Sequence, residues 1–192
     1  MGIHDLHRTA LDAFSQRVDH LPPECWQWAT PCADWDVHAL VNHVVGENRW
    51  IPPLLGGATV ADVGTTLDGD LLGDDPVAAW HESVGPALEA IGATPLDSTV
   101  HLSFGDFPAE EYLWQLTADA LIHAWDLARA TGQDETLPAE VVDGCARWFD
   151  GVEDAYRAAG AIGPAVVVDG ADPASALLGR FGRNPAPPPE AL

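Results

Sequence analysis

The chain has 192 residues, of which 47% are hydrophobic and 20% are charged. That length suits one domain with a sizeable core, and this ordinary composition argues against a disordered chain. The charge is lopsided, because 30 acidic residues face only 8 basic ones and leave a net charge of −22 at pH 7. Such an anionic surface repels phosphate groups, so we expect binding neither to nucleic acid nor to anionic membranes.

The sequence carries no targeting signal that we recognise. Its first residues lack the basic and apolar regions of a secretory signal, and no apolar run approaches the ~18 residues that cross a bilayer. The chain has three cysteines, without C-x-x-C spacing. This usage favours free thiols in a cytoplasmic protein. Buried, inert thiols are the favoured interpretation, and a metal-binding pair of Cys25 and Cys32 is the alternative.

Apolar residues at helical spacing predict most of the secondary structure. In chain order, we predict helices over 4–20, from Asp34 or Asp36 to 55, and over 75–91, 108–132, 138–159 and 174–180. Alternating polarity predicts a strand over 99–104, followed by a turn, and a second strand over 165–169. The sequence therefore indicates a mainly α protein, a four-helix bundle with an extra helix and one or two short strands. We predict a single domain over 1–183 and a flexible, Pro-rich tail over 184–192.

The fourth long helix carries ionisable residues on an otherwise apolar segment. Asp119, His123 and Asp126 lie at positions i, i+4 and i+7, and therefore on one side of this helix. Burying carboxylates is costly unless they are paired, hydrogen-bonded or bound to a metal. Asp119 and His123 are close enough on a helix to bind one divalent metal ion. The pattern therefore predicts half of a metal site, with a purely structural ion pair as the alternative.

A second helix would have to complete that site. His43, in the middle of the second helix, is a candidate, although its position beside the apolar face does not decide whether it points inward. Glu47 follows one turn later and is interpreted by default as an exposed charge. His4 and His7, close to the N-terminus, are predicted to be exposed to solvent.

Two segments of the chain resemble a known family. The segment from Pro31 to His43, PCADWDVHALVNH, is similar to the family pattern TPC-x-x-W-x-V-x-x-L-x-x-H, and DALIHAWDLA, which begins at Asp119, is similar to its second signature. The family is the mycothiol-dependent maleylpyruvate isomerase metal-binding domain, within the DinB-like four-helix-bundle proteins. The resemblance covers roughly residues 4–160 and suggests a short, stand-alone member.

The resemblance implies that His43, Asp119 and His123 bind a divalent metal. We expect zinc, with nickel or manganese as alternatives, since two imidazoles and a carboxylate accept several ions. In this family the metal activates a low-molecular-weight thiol, so the expected partners are a mycothiol-like thiol and a small electrophile. Asp126 would orient a ligand imidazole, and Glu47 would carry a proton.

Two departures from the family pattern affect the expected function. The isomerase uses Glu where this chain has the shorter Asp119, and only the last ~30 residues stand in place of its C-terminal domain. We therefore expect a thiol transferase or isomerase with a substrate other than maleylpyruvate. A metal-binding or sensing module without turnover and a metal-dependent hydrolase are the alternatives. A homodimer is possible, and the sequence does not identify the substrate.

Overall fold

The structure is a computed structural model that describes residues 1–168 and 172–186. Four long helices form a bundle, and the remaining elements pack around it. Within the described residues, the helices are α1 (Ile3–Val18), α2 (Val37–Leu55), α3 (Val60–Val63), α4 (Pro76–Ala93), α5 (Ala109–Thr131), α6 (Ala139–Ala158) and α7 (Pro173–Arg180), with a 3₁₀ turn at Cys25–Gln27. Strands β1 (Thr99–Leu102) and β2 (Gly105–Pro108) form an antiparallel hairpin. The predicted mainly α fold with a four-helix bundle is confirmed.

The bundle is built from α1, α2, α4 and α5. Helix α5 packs against α1 and α2, α4 packs against the same two helices, and α6 lies across α1 and α5. Helix α5 is the most central element, because apolar and small side chains cover most of its circumference. Any polar side chain on α5 is therefore buried unless the packing leaves an opening beside it.

Local sequence signals set the helix ends that matter for the site. Asp36, rather than Asp34, caps α2, since its Oδ1 accepts a hydrogen bond of 2.8 Å from the amide of Ala39. Helix α5 begins after Pro108 and ends at Gly132, whose φ of 70° suits a residue without a side chain. Both ends agree with the sequence prediction to within a residue or two.

Three predictions about local structure were wrong. The predicted turn at Gly105 is followed by a second strand rather than by the helix, because β2 pairs back onto β1. No strand forms over 165–168, where the amide of Val166 donates one hydrogen bond to the carbonyl of Gly179, and residue 169 lies outside the described residues. His7 is buried, with 1% of its surface exposed, because α1 turns this side towards α5.

The other sequence predictions concern the tail, the membrane and the cysteines. Residues 187–192 of the predicted tail lie outside the described residues. Of the helices in the described residues, none combines the length and the apolar character needed to cross a membrane. Cys25, Cys32 and Cys145 are free thiols; the first and last are buried, whereas Cys32 is half-buried.

Candidate metal centre

Two imidazoles and one carboxylate converge between α2 and α5. His43 Nε2 lies 3.2 Å from each carboxylate oxygen of Asp119, and His123 Nε2 lies 3.3 Å from Asp119 Oδ1. One ligand atom from each of the three residues lies within 4.8 Å of the others. The three residues that the sequence suggested as ligands are thus neighbours in space.

The helices explain this convergence. Asp119 and His123 are one turn apart on α5, so their side chains lie on one side of it. His43 belongs to α2, which packs against α5 and turns the imidazole towards Asp119. The sequence left the orientation of His43 open, and the packing of α2 on α5 decides it.

Asp126 fixes the orientation of the His123 imidazole by contacting Nδ1, the ring nitrogen that does not face Asp119. His123 Nδ1 lies 2.9 Å from Asp126 Oδ2, so the ring donates this N–H to the buried carboxylate and turns Nε2 towards Asp119. Asp126 also accepts two hydrogen bonds from Arg183, of 3.1 Å from Nε and 2.7 Å from Nη2. The position of Asp126 fits the orienting role predicted for it from its place one turn after His123.

The electrostatics of this cluster favour a positive charge on the two imidazoles beside Asp119. Burial opposes ionisation, but the neighbouring imidazoles of His123 and His43 hold the pKa of Asp119 below its usual range. Burial would lower the pKa of His123, whereas Asp119 and then Asp126 raise it to about 9. Asp119 raises the pKa of His43 in the same way, against the effect of burial.

Trp35 packs over the two imidazoles. Its ring centroid lies 4.8 Å from that of His43 and 5.6 Å from that of His123. Trp35 belongs to the loop that precedes α2, which is held by a hydrogen bond of 3.0 Å from the amide of Val37 to the carbonyl of Trp28. The indole therefore restricts the rotation of both imidazoles and shields one side of the cluster.

Glu47 lies on α2, one turn after His43, and faces the same opening. Burial raises the pKa of Glu47 to about 7, and the nearby carboxylate of Asp119 adds to this effect. A carboxyl group with such a pKa can both accept and donate a proton near neutral pH. Glu47 is therefore not the exposed surface charge that its sequence position suggested by default.

The cluster forms part of the wall of a pocket of about 450 Å³. Side chains from α2, the hairpin, α5, α6 and the C-terminal segment meet there. The lining residues are Cys32, Trp35, His43, Glu47, Phe104, Tyr112, Gln115, Leu116, Ala118, Asp119, Ile122, His123, Trp148, Tyr156, Ala161, Ile162, Phe181 and Arg183. Small molecules can therefore reach the three convergent groups from one side.

These residues fit a divalent metal by both donor type and spacing. Ligands held tetrahedrally at ~2.0–2.2 Å from an ion lie roughly 3.4 Å apart, close to the distances from Asp119 to each imidazole. Two nitrogen donors and one oxygen donor suit zinc and several other divalent ions. Within the described residues, His43, Asp119 and His123 form the one group of three or more potential ligands that converge in this way.

Five residues that were predicted from the sequence lie at this site, and other residues of the site were not predicted. His43, Glu47, Asp119, His123 and Asp126 all lie at or beside the pocket. Trp35 stands in the first segment that carries the family resemblance, but no role was predicted for it. Neither spacing nor composition indicated Arg183, because it comes from a segment without regular periodicity, and Cys32 was considered only as a metal-binding partner of Cys25.

Comparisons with known proteins agree with this fold. Residues 7–128 match the family described as the mycothiol maleylpyruvate isomerase N-terminal domain. Two relatives from Mycobacterium tuberculosis, the uncharacterized proteins MT0763 (strain CDC 1551 / Oshkosh) and Rv0738 (strain ATCC 25618 / H37Rv), are each 31% identical over 141 residues. These matches cover 70% of this chain and 70% of each relative.

Two solved structures share the fold. They are the mycothiol-dependent maleylpyruvate isomerase and a histidine-to-alanine mutant of that enzyme, at 16% and 17% identity and a TM-score of 0.59 for each. Each match covers 74% of this chain and 67% of the other. Since the sequence identity is this low, the likeness shows the fold alone. The match over residues 7–128, which covers more than half of the chain, shows that the chain belongs to the family of the mycothiol maleylpyruvate isomerase N-terminal domain.

Proposed function

We propose that this protein is a metal-dependent enzyme that uses a low-molecular-weight thiol of the mycothiol type. The thiol is transferred to a small electrophile or catalyses its isomerisation. One observation carries the proposal: two imidazoles and a carboxylate, with ligand atoms within 4.8 Å of one another, line a pocket that is open to small molecules. Membership of the family supports the choice of thiol.

His43, Asp119 and His123 are the proposed ligands, with zinc as the first choice and nickel or manganese as alternatives. Three protein ligands leave a position for an exogenous group, and a bound ion would lower the pKa of a thiol placed there. Asp126 keeps the Nδ1–H of His123 occupied at 2.9 Å, which leaves Nε2 free to ligate. Trp35 holds both imidazoles in place by contact with their rings.

Glu47 is the proposed proton carrier. It lies in the pocket wall beside the three ligands, and its pKa of about 7 suits proton exchange near neutral pH. The carboxylate accepts the proton of the thiol. The sulfur then forms a bond to the electrophilic carbon, and Glu47 returns the proton to the carbon that receives the displaced electron pair.

Elemental analysis of untagged protein tests the metal site. We expect about one equivalent of metal in the wild type and almost none in His43→Ala and Asp119→Ala, because each variant removes one of three ligands. His81→Ala is the matched control, since His81 pairs with Asp19 at 2.8 Å on the surface, outside the pocket. Unchanged metal content in both ligand variants would refute this ligand set.

An activity assay separates the proposal from its alternatives. Metal-loaded protein is incubated with mycothiol and a panel of small electrophiles, and both loss of thiol and conversion of the electrophile are measured for the wild type and for Glu47→Gln. Thiol-dependent turnover that falls in this variant is the expected result. Hydrolysis without added thiol would indicate a hydrolase, and metal binding without any turnover would indicate a binding or sensing module.

A further inference from the structure

The pocket has a polar wall beyond the proposed ligands. Tyr112 and Gln115 lie on α5 seven and four residues before Asp119, so the three side chains share the helix face that lines the pocket. Tyr112 is 5% exposed, and its ring packs in an apolar cluster with Ile51 and Leu116. Tyr112 Oη and Gln115 Nε2 are both buried and have no hydrogen-bond partner among the described residues.

Other polar groups in the same wall are already occupied. Trp148 Nε1 donates to Glu111 Oε2 at 2.9 Å, and Tyr156 Oη donates to Glu111 Oε1 at 3.3 Å. Buried donors in folded proteins are nearly always paired, because leaving one unpaired costs its full desolvation. Among the buried side-chain atoms that lack a hydrogen-bond partner in the described part of the chain, these two are the ones whose residues line this pocket. A ligand in the pocket is therefore the natural source of their partner.

The charge of the lining indicates which acceptor fits. Apart from the two imidazoles of the metal centre, the cation in the described lining is Arg183, and its guanidinium is engaged by Asp126 and by the carbonyl of Phe181 at 2.9 Å. Glu47 and Asp119 place two carboxyl groups in the same wall. Burial raises the pKa of the Tyr112 hydroxyl, and the nearby carboxyl groups of Glu47 and Asp119 raise it further. A carboxylate bound beside this hydroxyl would therefore meet the same acidic neighbours.

We propose that Tyr112 and Gln115 form a subsite for an uncharged, oxygen-bearing group of the electrophile, namely the carbonyl oxygen of a ketone, ester or amide. Tyr112 donates its hydroxyl hydrogen and Gln115 an amide hydrogen to this oxygen. The subsite thereby selects substrates that are neutral at this end over those that carry a carboxylate. That the bound group belongs to an electrophile rests on the proposed function, whereas the subsite itself requires neither metal nor thiol.

Binding of two unreactive probes tests this subsite. Succinamide and succinate share one carbon skeleton and differ in charge, and ligand-observed NMR measures the dissociation constant of each. The protein is used as purified and again after dialysis against a chelator, because a bound metal would itself attract succinate. We expect succinamide to bind about tenfold more tightly than succinate in the chelator-treated protein, a difference of about 1.4 kcal/mol.

Conservative variants assign the binding to these side chains. Tyr112→Phe and Gln115→Met keep the packing and should each weaken succinamide binding about threefold to tenfold, the effect of one lost hydrogen bond. Tyr156→Phe is the matched control, because it removes a hydroxyl from the same pocket that already donates to Glu111. Its affinity for succinamide should be unchanged.

Several results would overturn the subsite. They are equal or tighter binding of succinate by the chelator-treated protein, no binding of either probe, and unchanged succinamide affinity in both Tyr112→Phe and Gln115→Met. Failure of the proposed function would look different. The wild type would then contain no metal, while its preference for succinamide and the sensitivity to both substitutions remained.

Discussion

Two buried histidines, His123 on α5 and His7 on the neighbouring α1, have pKa values that are shifted in opposite directions. His123 is 6% exposed and His7 is 1% exposed, yet the pKa of His123 is raised to about 9 and that of His7 is lowered to about 3. Burial favours the neutral imidazole in both residues. His123 lies between the carboxylates of Asp119 and Asp126, whereas His7 has Thr117 Oγ1 at 3.2 Å and no partner for Nε2 among the described residues.

The difference shows that charged neighbours, rather than burial, decide which histidine can hold a positive charge. The hydroxyl of Thr117 donates to the carbonyl of Leu113 at 2.6 Å, so it can accept the Nδ1–H of a neutral His7. The surroundings of His123 provide two carboxylates, which suit a proton or a metal ion equally well. Only one of the two histidines therefore lies in an environment built for a cation.

Removing Asp126 should produce the largest effect. Asp126→Asn leaves the guanidinium of Arg183 without its carboxylate, and loss of one partner from a buried ion pair costs about 3–5 kcal/mol. Urea denaturation of the two proteins measures this change in the free energy of unfolding. Asp150→Asn is the control, because Asp150 is largely exposed in its ion pair with Arg180. Equal losses in both variants would contradict this account of Asp126.

The next largest effect should come from added metal, to which variants of His123 and His7 should respond differently. Zinc at a hundredfold excess over its dissociation constant should stabilise the wild type by about 2.7 kcal/mol, because the ion binds the folded state. His7→Gln should keep this gain, whereas His123→Gln should lose it. Thermal unfolding with zinc and with a chelator measures both effects. A zinc effect that survives His123→Gln would exclude His123 as a ligand.

Lowering the pH should destabilise the protein, because the imidazole of His7 is neutral in the folded state. The pKa of His7 is lower in the folded state, at about 3, than its ordinary value of 6.5, so the unfolded chain binds a proton that the folded protein excludes. Stability is therefore lost as the pH falls below about 6.5, by about 1 kcal/mol between pH 6 and pH 5. His7→Gln should remove this part of the slope in urea denaturation. Identical slopes in the two proteins would show that His7 is protonated in the folded state.

Removing one partner of an exposed ion pair should change the free energy of unfolding least. His81 Nε2 lies 2.8 Å from Asp19 Oδ1, closer than His123 Nε2 lies to Asp119, but both side chains are about half exposed. Solvent screens such a pair, so His81→Ala should change the free energy of unfolding by less than about 1 kcal/mol. A loss comparable to that in Asp126→Asn would mean that distance, not burial, sets the strength of these pairs.

The sequence by itself determined the helical class and most of the candidate metal centre. Helical periodicity placed α1, α2, α4, α5 and α6 to within a few residues, because each buries one continuous apolar face. The same periodicity set Asp119, His123 and Asp126 on one side of α5. Such relations depend on neighbours within one helix, which local spacing fixes.

Tertiary structure decided everything that joins separate segments. The orientation of His43, the burial of His7 and the contact between Arg183 and Asp126 each depend on how distant elements pack. The second strand was missed for a related reason, since β2 exists only because it pairs with β1. Periodicity describes the faces of one element, whereas a pocket and its vacant donors arise only where several elements meet.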